Sequence, residues 1–327
     1  MSDTVFVVGG AGYIGSHAAQ QLHRRSIVPV TLDNLSTGWR DFVRWGPFVH
    51  ADIRDEAAVR AALNLYRPRL VMHFAAKIVV PESTKNPLLY YDNNVMGSLS
   101  LIRACVEHGV EQFVFSSTAA VYGEPEVVPI PLDAPKLPVN PYGATKHIVE
   151  RALTDIAAAS KTMGVTIFRY FNAAGAMPDA RVGERHEPET HLIPNVLKAA
   201  SEGRPLSVFG DDYDTPDGTC VRDYIHVSDL VRAHTAVLDQ PSSPGETRVF
   251  NLGTGVGRSV REVIEACRDV TGADVKYEVK PRRPGDAPSL VAGDTEKARE
   301  ALAWTPERSD VKTIVEDAWR WYQKELA

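Results

Sequence analysis

The chain has 327 residues, 44% hydrophobic and 24% charged, with 36 lysines and arginines against 42 acids and a formal charge of −6. That is chain enough for a substantial core. The absence of a basic run argues against a nucleic-acid or anionic-membrane partner, and no stretch approaches the ~18 unbroken apolar residues of a membrane span.

Short β-branched runs alternate with helical patterns up to about residue 175. Residues 4–8 predict a strand, 13–25 a helix, 28–32 a strand and 55–66 a helix. Strand 70–74, helix 87–108, strand 112–117, helix 141–161 and strand 165–170 follow, with Gly109 as a stop after the third helix. Several strands are apolar on both faces, as parallel strands covered by helices are. The pattern predicts an α/β fold with a doubly wound parallel (Rossmann) sheet. After Phe171, Pro, Gly and Asp cluster within 175–189, 210–218 and 281–288, separated by helices at 191–202, 231–238, 261–271 and 310–324. These predict a second, smaller α/β lobe for substrate. The expected division is 1–175 and 176–327, with segments near 226–252 returning to the large sheet. The glycine-rich loop starts at Gly9, which leaves no room for a signal peptide. Cys105, Cys220 and Cys267 are far apart and form no Cys-x-x-Cys pair. A cytoplasmic protein with reduced thiols, no disulfide framework and no metal site is expected.

Val5-Phe-Val-Val-Gly9-Gly-Ala-Gly12-Tyr-Ile-Gly15 runs from an apolar strand through spaced glycines into a helix. Glycine permits the tight turn and lets a pyrophosphate approach the unpaired N–H groups of a helix amino terminus. Turns use glycine for other reasons, but strand before and helix behind favour a dinucleotide. Asp33 ends the second strand, where a carboxylate accepts both adenosine-ribose hydroxyls and repels a 2′-phosphate, favouring NAD. Asp52 and Ile53, near the end of the next strand, are candidates for the adenine side.

Asn140-Pro141-Tyr142-Gly-Ala-Thr-Lys146 opens a helix with proline in its first turn. Tyr142 and Lys146 then share one face as i and i+4. A neighbouring ammonium is expected to lower the phenol from its usual ~10, making Tyr142 a base for a substrate hydroxyl as hydride leaves the same carbon. The strand carrying Ser116-Ser117-Thr118 ends in hydroxyls that open into the same crevice, and Thr118 can orient the reacting oxygen. Read singly, each feature has a plain structural alternative: a core tyrosine, a lysine lying along the surface, an ordinary strand end.

Together these features resemble the extended short-chain dehydrogenase/reductase family and, within it, the UDP-glucose 4-epimerase family. The likeness rests on Gly9-Gly-Ala-Gly-Tyr-Ile-Gly-Ser-His17, Tyr90-Tyr-Asp-Asn93-Asn-Val and Val121-Tyr-Gly123. It continues through Arg169-Tyr-Phe-Asn172, Gly218-Thr-Cys-Val-Arg222-Asp-Tyr-Ile-His226, Asn251-Leu-Gly-Thr-Gly-Val-Gly257 and Pro281-Arg-Arg283-Pro-Gly-Asp286. The resemblance implies Thr118, Tyr142 and Lys146 as catalytic. It implies an NAD site of Gly9, Gly12, Tyr13, Ile14, Gly15, Asp33, Asn34, Asp52, Ile53, Phe74, Ala75, Asn93 and Ser116, with Tyr142 and Lys146. It further implies a UDP-sugar site of Asn172, His191, Leu192, Arg222, Arg283, Asp286 and Leu290, touching Thr118, and a homodimer. Two guanidiniums suit a diphosphate.

Three departures stand out. The family's lysine near the nicotinamide aligns with Ile78, one position after Lys77. His191 replaces an asparagine, and Leu290 stands at the gate of the sugar pocket, where it narrows the space beside C2. Activity on N-acetylated sugars is therefore expected to be weak. The expected reaction is C4 epimerisation of UDP-glucose and UDP-galactose. Alternatives are a UDP-xylose/UDP-arabinose 4-epimerase, a conventional dehydrogenase, a noncatalytic NAD-binding protein, or a sugar-nucleotide dehydratase. Ala119 and Ala120 speak against the last, because dehydratases place acids after the hydroxyl residue.

Overall fold

The computed structural model describes residues 4–283 and 287–326. Chain order begins β1 (Thr4–Val8), α1 (Tyr13–Arg24), β2 (Val28–Asp33), β3 (Phe48–His50), α2 (Glu56–Tyr66) and β4 (Leu70–His73). It continues α3 (Val80–Lys85), α4 (Pro87–Tyr90), α5 (Gly97–Glu107), β5 (Gln112–Thr118), α6 (Pro141–Ala159), β6 (Gly164–Tyr170) and β7 (Asn172–Ala174). Then come α7 (Leu192–Glu202), β8 (Leu206–Phe209), β9 (Val221–His226), α8 (Val227–Ala236), β10 (Thr247–Leu252) and β11 (Gly257–Ser259). The last elements are α9 (Val260–Thr271), β12 (Tyr277–Lys280), β13 (Ser289–Leu290), α10 (Thr295–Leu302) and α11 (Val311–Leu326).

Seven strands form a parallel sheet in the order β10-β6-β5-β4-β1-β2-β3. The chain winds outward from β1 to β3, then crosses back to start β4 on the other side of β1. The doubly wound α/β sheet expected from the strand–helix alternation is therefore observed, and its switch point opens a crevice at the carboxyl ends of β1 and β4. Alternate residues of β1 serve opposite faces, as a two-residue side-chain period requires. Phe6 and Val8 join Val59, Leu63, Leu101, Val149 and Leu153 beneath α2, α5 and α6. Val5 and Val7 join Ala18, Leu22, Leu230, Val231, Ala298 and Leu302 beneath α1, α8 and α10.

The second lobe has its own core, where Ile193, Val196 and Leu197 of α7 meet Val263 and Ile264 of α9 and Ile314 and Val315 of α11. A four-stranded sheet sets β9 between β11 and β13, with β7 also paired to β9, and β8 pairs with β12. Among the described residues no helix is long and apolar enough to cross a membrane.

The pattern at 87–108 predicts one α-helix, but residues Tyr91–Met96 take a π-helical turn between α4 and α5. Asn94, inside that wider turn, accepts the Lys77 N–H at 2.8 Å and donates to the Lys77 carbonyl at 3.0 Å and to Thr145 Oγ1 at 3.1 Å. Such turns commonly sit at functional sites. The short β3, α3 and α10 carry too few residues for periodicity to reveal them.

Candidate active site

The glycine loop is shaped by contacts that tolerate no side chain. Gly9 has φ +82°, and a Cβ there would stand 2.5 Å from the Ala75 nitrogen. A Cβ on Gly15 would stand 2.2 Å from the Gly9 carbonyl oxygen. Gly12 differs: a Cβ there meets only Gly9 O, at 3.4 Å, and otherwise points into the crevice. Gly12 caps α1 with no side-chain cap, and the first turn carries no acidic residue. The first N–H groups of α1, those of Tyr13 and Ile14 among them, therefore face outward with a partial positive charge. A diphosphate fits this cradle.

Asp33, at the end of β2, is buried, and its carboxylate accepts the N–H groups of Ala11 at 3.0 Å and Leu35 at 2.8 Å. Burial pushes its carboxyl up, against the pull of those two hydrogen bonds. Asn34 donates to Asp52 at 2.7 Å. Arg54 hydrogen-bonds the same carboxylate and holds it well below the usual range. Ile53 is buried against Gly97. Phe74 and Ala75 leave β4 with both N–H groups on the Val8 carbonyl, at 2.8 and 3.1 Å. Asn93, in the π turn, donates to Asn94 Oδ1 at 2.9 Å. The cofactor candidates thus line one run of the crevice, along the carboxyl ends of β1, β2 and β4.

Thr118 ends β5 and accepts the Ala120 N–H at 3.1 Å. Across from it, Asn140 caps α6 through the Gly143 N–H at 2.8 Å, worth about 1 kcal/mol. That cap sets Tyr142 in the first turn, where the Thr118 side chain helps to lower its phenol's pKa. Lys146, one turn on, is 4% exposed. It donates to the Ser116 carbonyl at 2.8 Å and lies over the Phe115 ring.

The electrostatics differ from the sequence expectation. Burial pushes the Tyr142 phenol up to about 12, with the Thr118 hydrogen bond pulling the other way. Burial also pushes Lys146 down to about 7, opposed by Glu150. In the protein alone, desolvation penalises the charged form of each.

The substrate candidates lie on the second lobe. Asn172 in β7 donates to the Asp223 carbonyl at 3.2 Å. Arg222 in β9 donates to the Val221 and Ala287 carbonyls at 2.9 and 3.0 Å. Leu290 is in register beside Arg222 and packs on the cluster of Val121, Tyr122 and Ile130, just beyond Thr118. The β7–β9–β13 pairing thus brings Asn172, Arg222 and Leu290 to one sheet. Arg283 stacks over the Phe209 ring, its guanidinium carbon 3.8 Å from the centroid. His191 caps the start of α7, ahead of Leu192, but its ring is turned onto Glu184. Asp286 lies outside the described residues. Lys77 is held at its backbone by Asn94, while Ile78 is 41% exposed.

Sequence reading missed several residues behind these. His234 of α8 lies 3.2 Å from the Ser116 hydroxyl, and burial pushes its imidazole down to about 4, so it stays neutral. Glu150 holds Arg169 and Ser117 beneath Thr118. Glu184, His186 and Glu189 surround His191. For Glu150 the available sequence signal is its i, i+4 spacing from Lys146 on α6.

The chain belongs to the NAD dependent epimerase/dehydratase family, whose model matches residues 5–253. Among its relatives, a UDP-glucose 4-epimerase of Rhizobium leguminosarum bv. trifolii is 47% identical over 323 residues, 98% of each chain. The crystal structure of UDP-glucose 4-epimerase from Brucella ovis in complex with NAD superposes with a TM-score of 0.93, at 45% identity and 98% coverage of both chains. That from Bifidobacterium longum, in complex with NAD+ and UDP, gives 0.94 at 37% identity and 99% coverage of both.

Proposed function

We propose that this chain interconverts UDP-glucose and UDP-galactose by inverting C4 through a transient 4-keto sugar, with NAD as cofactor. The observation that carries the reading is Lys146, buried one helical turn from Tyr142 and seated on the Ser116 carbonyl at 2.8 Å, at the end of the strand that carries Thr118. The full-length similarity to UDP-glucose 4-epimerases supports it.

Residues 1–175 hold the cofactor: Gly9, Gly12, Tyr13, Ile14 and Gly15 at its diphosphate, Asp33 and Asn34 at the adenosine ribose, Asp52 and Ile53 at the adenine. Phe74, Ala75, Asn93, Ser116, Tyr142 and Lys146 complete that site. When bound, NAD+ supplies the acceptor and later donor of the C4 hydride, and a positive charge that favours the Tyr142 phenolate. Tyr142 accepts the proton of the 4-hydroxyl, Thr118 orients that oxygen, and Lys146 holds a positive charge beneath the pair. The keto sugar then turns about its link to the diphosphate, so that C4 would take back the hydride on its opposite face, and Tyr142 returns the proton to the C4 oxygen.

Such a turn needs firm anchoring of UDP with loose holding of the sugar. Asn172, His191, Leu192, Arg222, Arg283 and Asp286 serve as the anchor, and Leu290 bounds the sugar beside C2. Ala119 and Ala120 offer no second acid/base pair, which disfavours elimination of water. A homodimer is proposed through the α4–α5 segment and α6, where Leu88 is 83% exposed and Met96 and Ile148 are also open to solvent. Solution mass measurement tests it, a monomer at micromolar concentration counting against it.

The deciding experiment incubates the enzyme with UDP-galactose without added cofactor and resolves the products by chromatography. UDP-glucose without free NADH is the expected product. Stoichiometric NADH release would support a conventional dehydrogenase instead. Comparing kcat/KM for UDP-glucose and UDP-xylose decides between the hexose and pentose readings.

A further inference from the structure

Glu184, His186, Glu189 and His191, on the segment leading into α7, each offer one donor atom, and these atoms all lie within 4.8 Å of one another. We propose that this cluster is a binding site for one borderline transition-metal dication of the zinc or cobalt class, held by two imidazole nitrogens and two carboxylate oxygens.

The His186 distances are close to those of donors arranged about a common centre, while His191 and Glu184 are hydrogen-bonded to each other, a bond that a bound metal would replace. His186 Nδ1 lies 3.3 Å from Glu184 Oε1 and 3.6 Å from Glu189 Oε2. His191 Nδ1 is hydrogen-bonded to Glu184 Oε1. Four donors set tetrahedrally at ~2.0–2.1 Å from zinc stand about 3.3–3.4 Å from each other. Burial fits as well. The Glu184 side chain is 5% exposed and that of Glu189 16%, while His191, at 48%, leaves an entry path. His186 Nδ1 is shielded from solvent and flanked by two carboxylates, Glu184 at 3.3 Å and Glu189 at 3.6 Å.

The supporting contacts suit a ligand set. The N–H groups of Thr190 and His191 both donate to Glu189 Oε1 at 2.8 Å, fixing that carboxylate and leaving Oε2 for the centre. The imidazole rings meet edge to face, with centroids 5.1 Å apart and planes at 77°. Two carboxylates neutralise a dication exactly once the imidazoles bind in their neutral form, and two nitrogen donors select against magnesium and calcium. The same residues without metal form imidazolium–carboxylate pairs, which is the competing account.

The ion would have a structural task. It would tie the 184–189 loop to the amino-terminal cap of α7, next to Tyr13 of α1, whose ring meets His186 edge-on at 6.3 Å and whose hydroxyl donates to the Gly175 carbonyl at 2.6 Å. The site shares His191 with the proposed UDP anchor, but metal content is read without substrate and the variants are at His186 and Glu189, so failure of this proposal and failure of the proposed reaction are distinguishable.

The test strips the purified full-length protein with a chelator, loads it with Zn2+, desalts it and measures bound metal. A parallel Co2+ titration is followed in the visible region. About one equivalent of zinc per chain is expected, with the intense cobalt bands of four-coordination, bleached by added zinc. His186→Asn and Glu189→Gln, each checked for folding by circular dichroism, should each retain less than about 0.1 equivalent. Wild-type protein retaining less than about 0.1 equivalent, or only weak six-coordinate cobalt bands, overturns the proposal. So does undiminished binding by folded variants, which would locate the metal elsewhere. Should His186→Asn not fold, Glu189→Gln and the wild-type cobalt spectrum decide.

Discussion

Replacing Glu150 with glutamine removes one charge, and almost no volume, from the network under the candidate catalytic hydroxyls. The Glu150 carboxylate accepts Arg169 Nε at 2.9 Å, Arg169 Nη2 at 2.7 Å and the Ser117 hydroxyl at 2.5 Å. The two charged side chains are 5% and 7% exposed. Arg169 also donates to the Tyr122 hydroxyl at 3.0 Å, which in turn donates to Asn251 at 2.7 Å. Glutamine keeps one acceptor oxygen and turns an NH2 toward groups that are themselves donors. The guanidinium is left buried and uncompensated. Breaking a buried pair from one side costs about 3–5 kcal/mol, and the retained acceptor places Glu150→Gln near about 3.

Burial raises the Glu150 carboxyl, but the His147 imidazole, the Arg169 guanidinium and the Ser117 hydroxyl outweigh it and hold it below its ordinary value. Its stabilisation is therefore complete above the unfolded carboxylate range of about 4.3, and is lost as pH falls through the lower folded value. Denaturant unfolding at pH 7, repeated in steps to well below pH 4, should show a large gap between wild type and variant that holds down to about pH 4.3 and closes only below it. The double variant Glu150→Leu/Arg169→Met should recover most of the loss. A single variant within about 1 kcal/mol of wild type, or a double variant less stable than the single, would refute the reasoning. The same change reaches Lys146, whose proton Glu150 helps to hold. The alkaline limb of the activity profile should move to lower pH.

Tyr142→Phe should lower turnover by roughly 10²–10⁴-fold with NAD binding retained, read by product chromatography and cofactor fluorescence. Gly12→Val should fold yet bind NAD poorly, because its side chain enters the cradle. Gly15→Val should fail to fold, because its Cβ would stand 2.2 Å from a carbonyl oxygen, and thermal melts separate the two. Leu290→Ser should raise the UDP-N-acetylglucosamine to UDP-glucose ratio of kcat/KM; an unchanged ratio would remove Leu290 from the sugar gate. Asp33→Ala should weaken NAD binding and lower stability by about 1–3 kcal/mol, since it strands the N–H groups of Ala11 and Leu35, and equilibrium unfolding measures that part.

What the sequence determined by itself was local. Glycines between an apolar strand and a helix, an asparagine–proline helix start, and a tyrosine and lysine four residues apart each express backbone geometry within a few residues. The alternation of strand and helix, summed over many such segments, was enough for the doubly wound sheet. Tertiary structure decided whatever depends on pairing distant segments. It set β9 beside β7 and β13, bringing Asn172, Arg222 and Leu290 to one surface. It packed α10 beneath the large sheet, turned Asn94 inward through a π turn and gathered Glu184, His186 and Glu189 around His191. It also reversed the expected direction for the Tyr142 phenol. A sequence shows that an ammonium is near but not how much water the fold removes, and here burial raises the phenol.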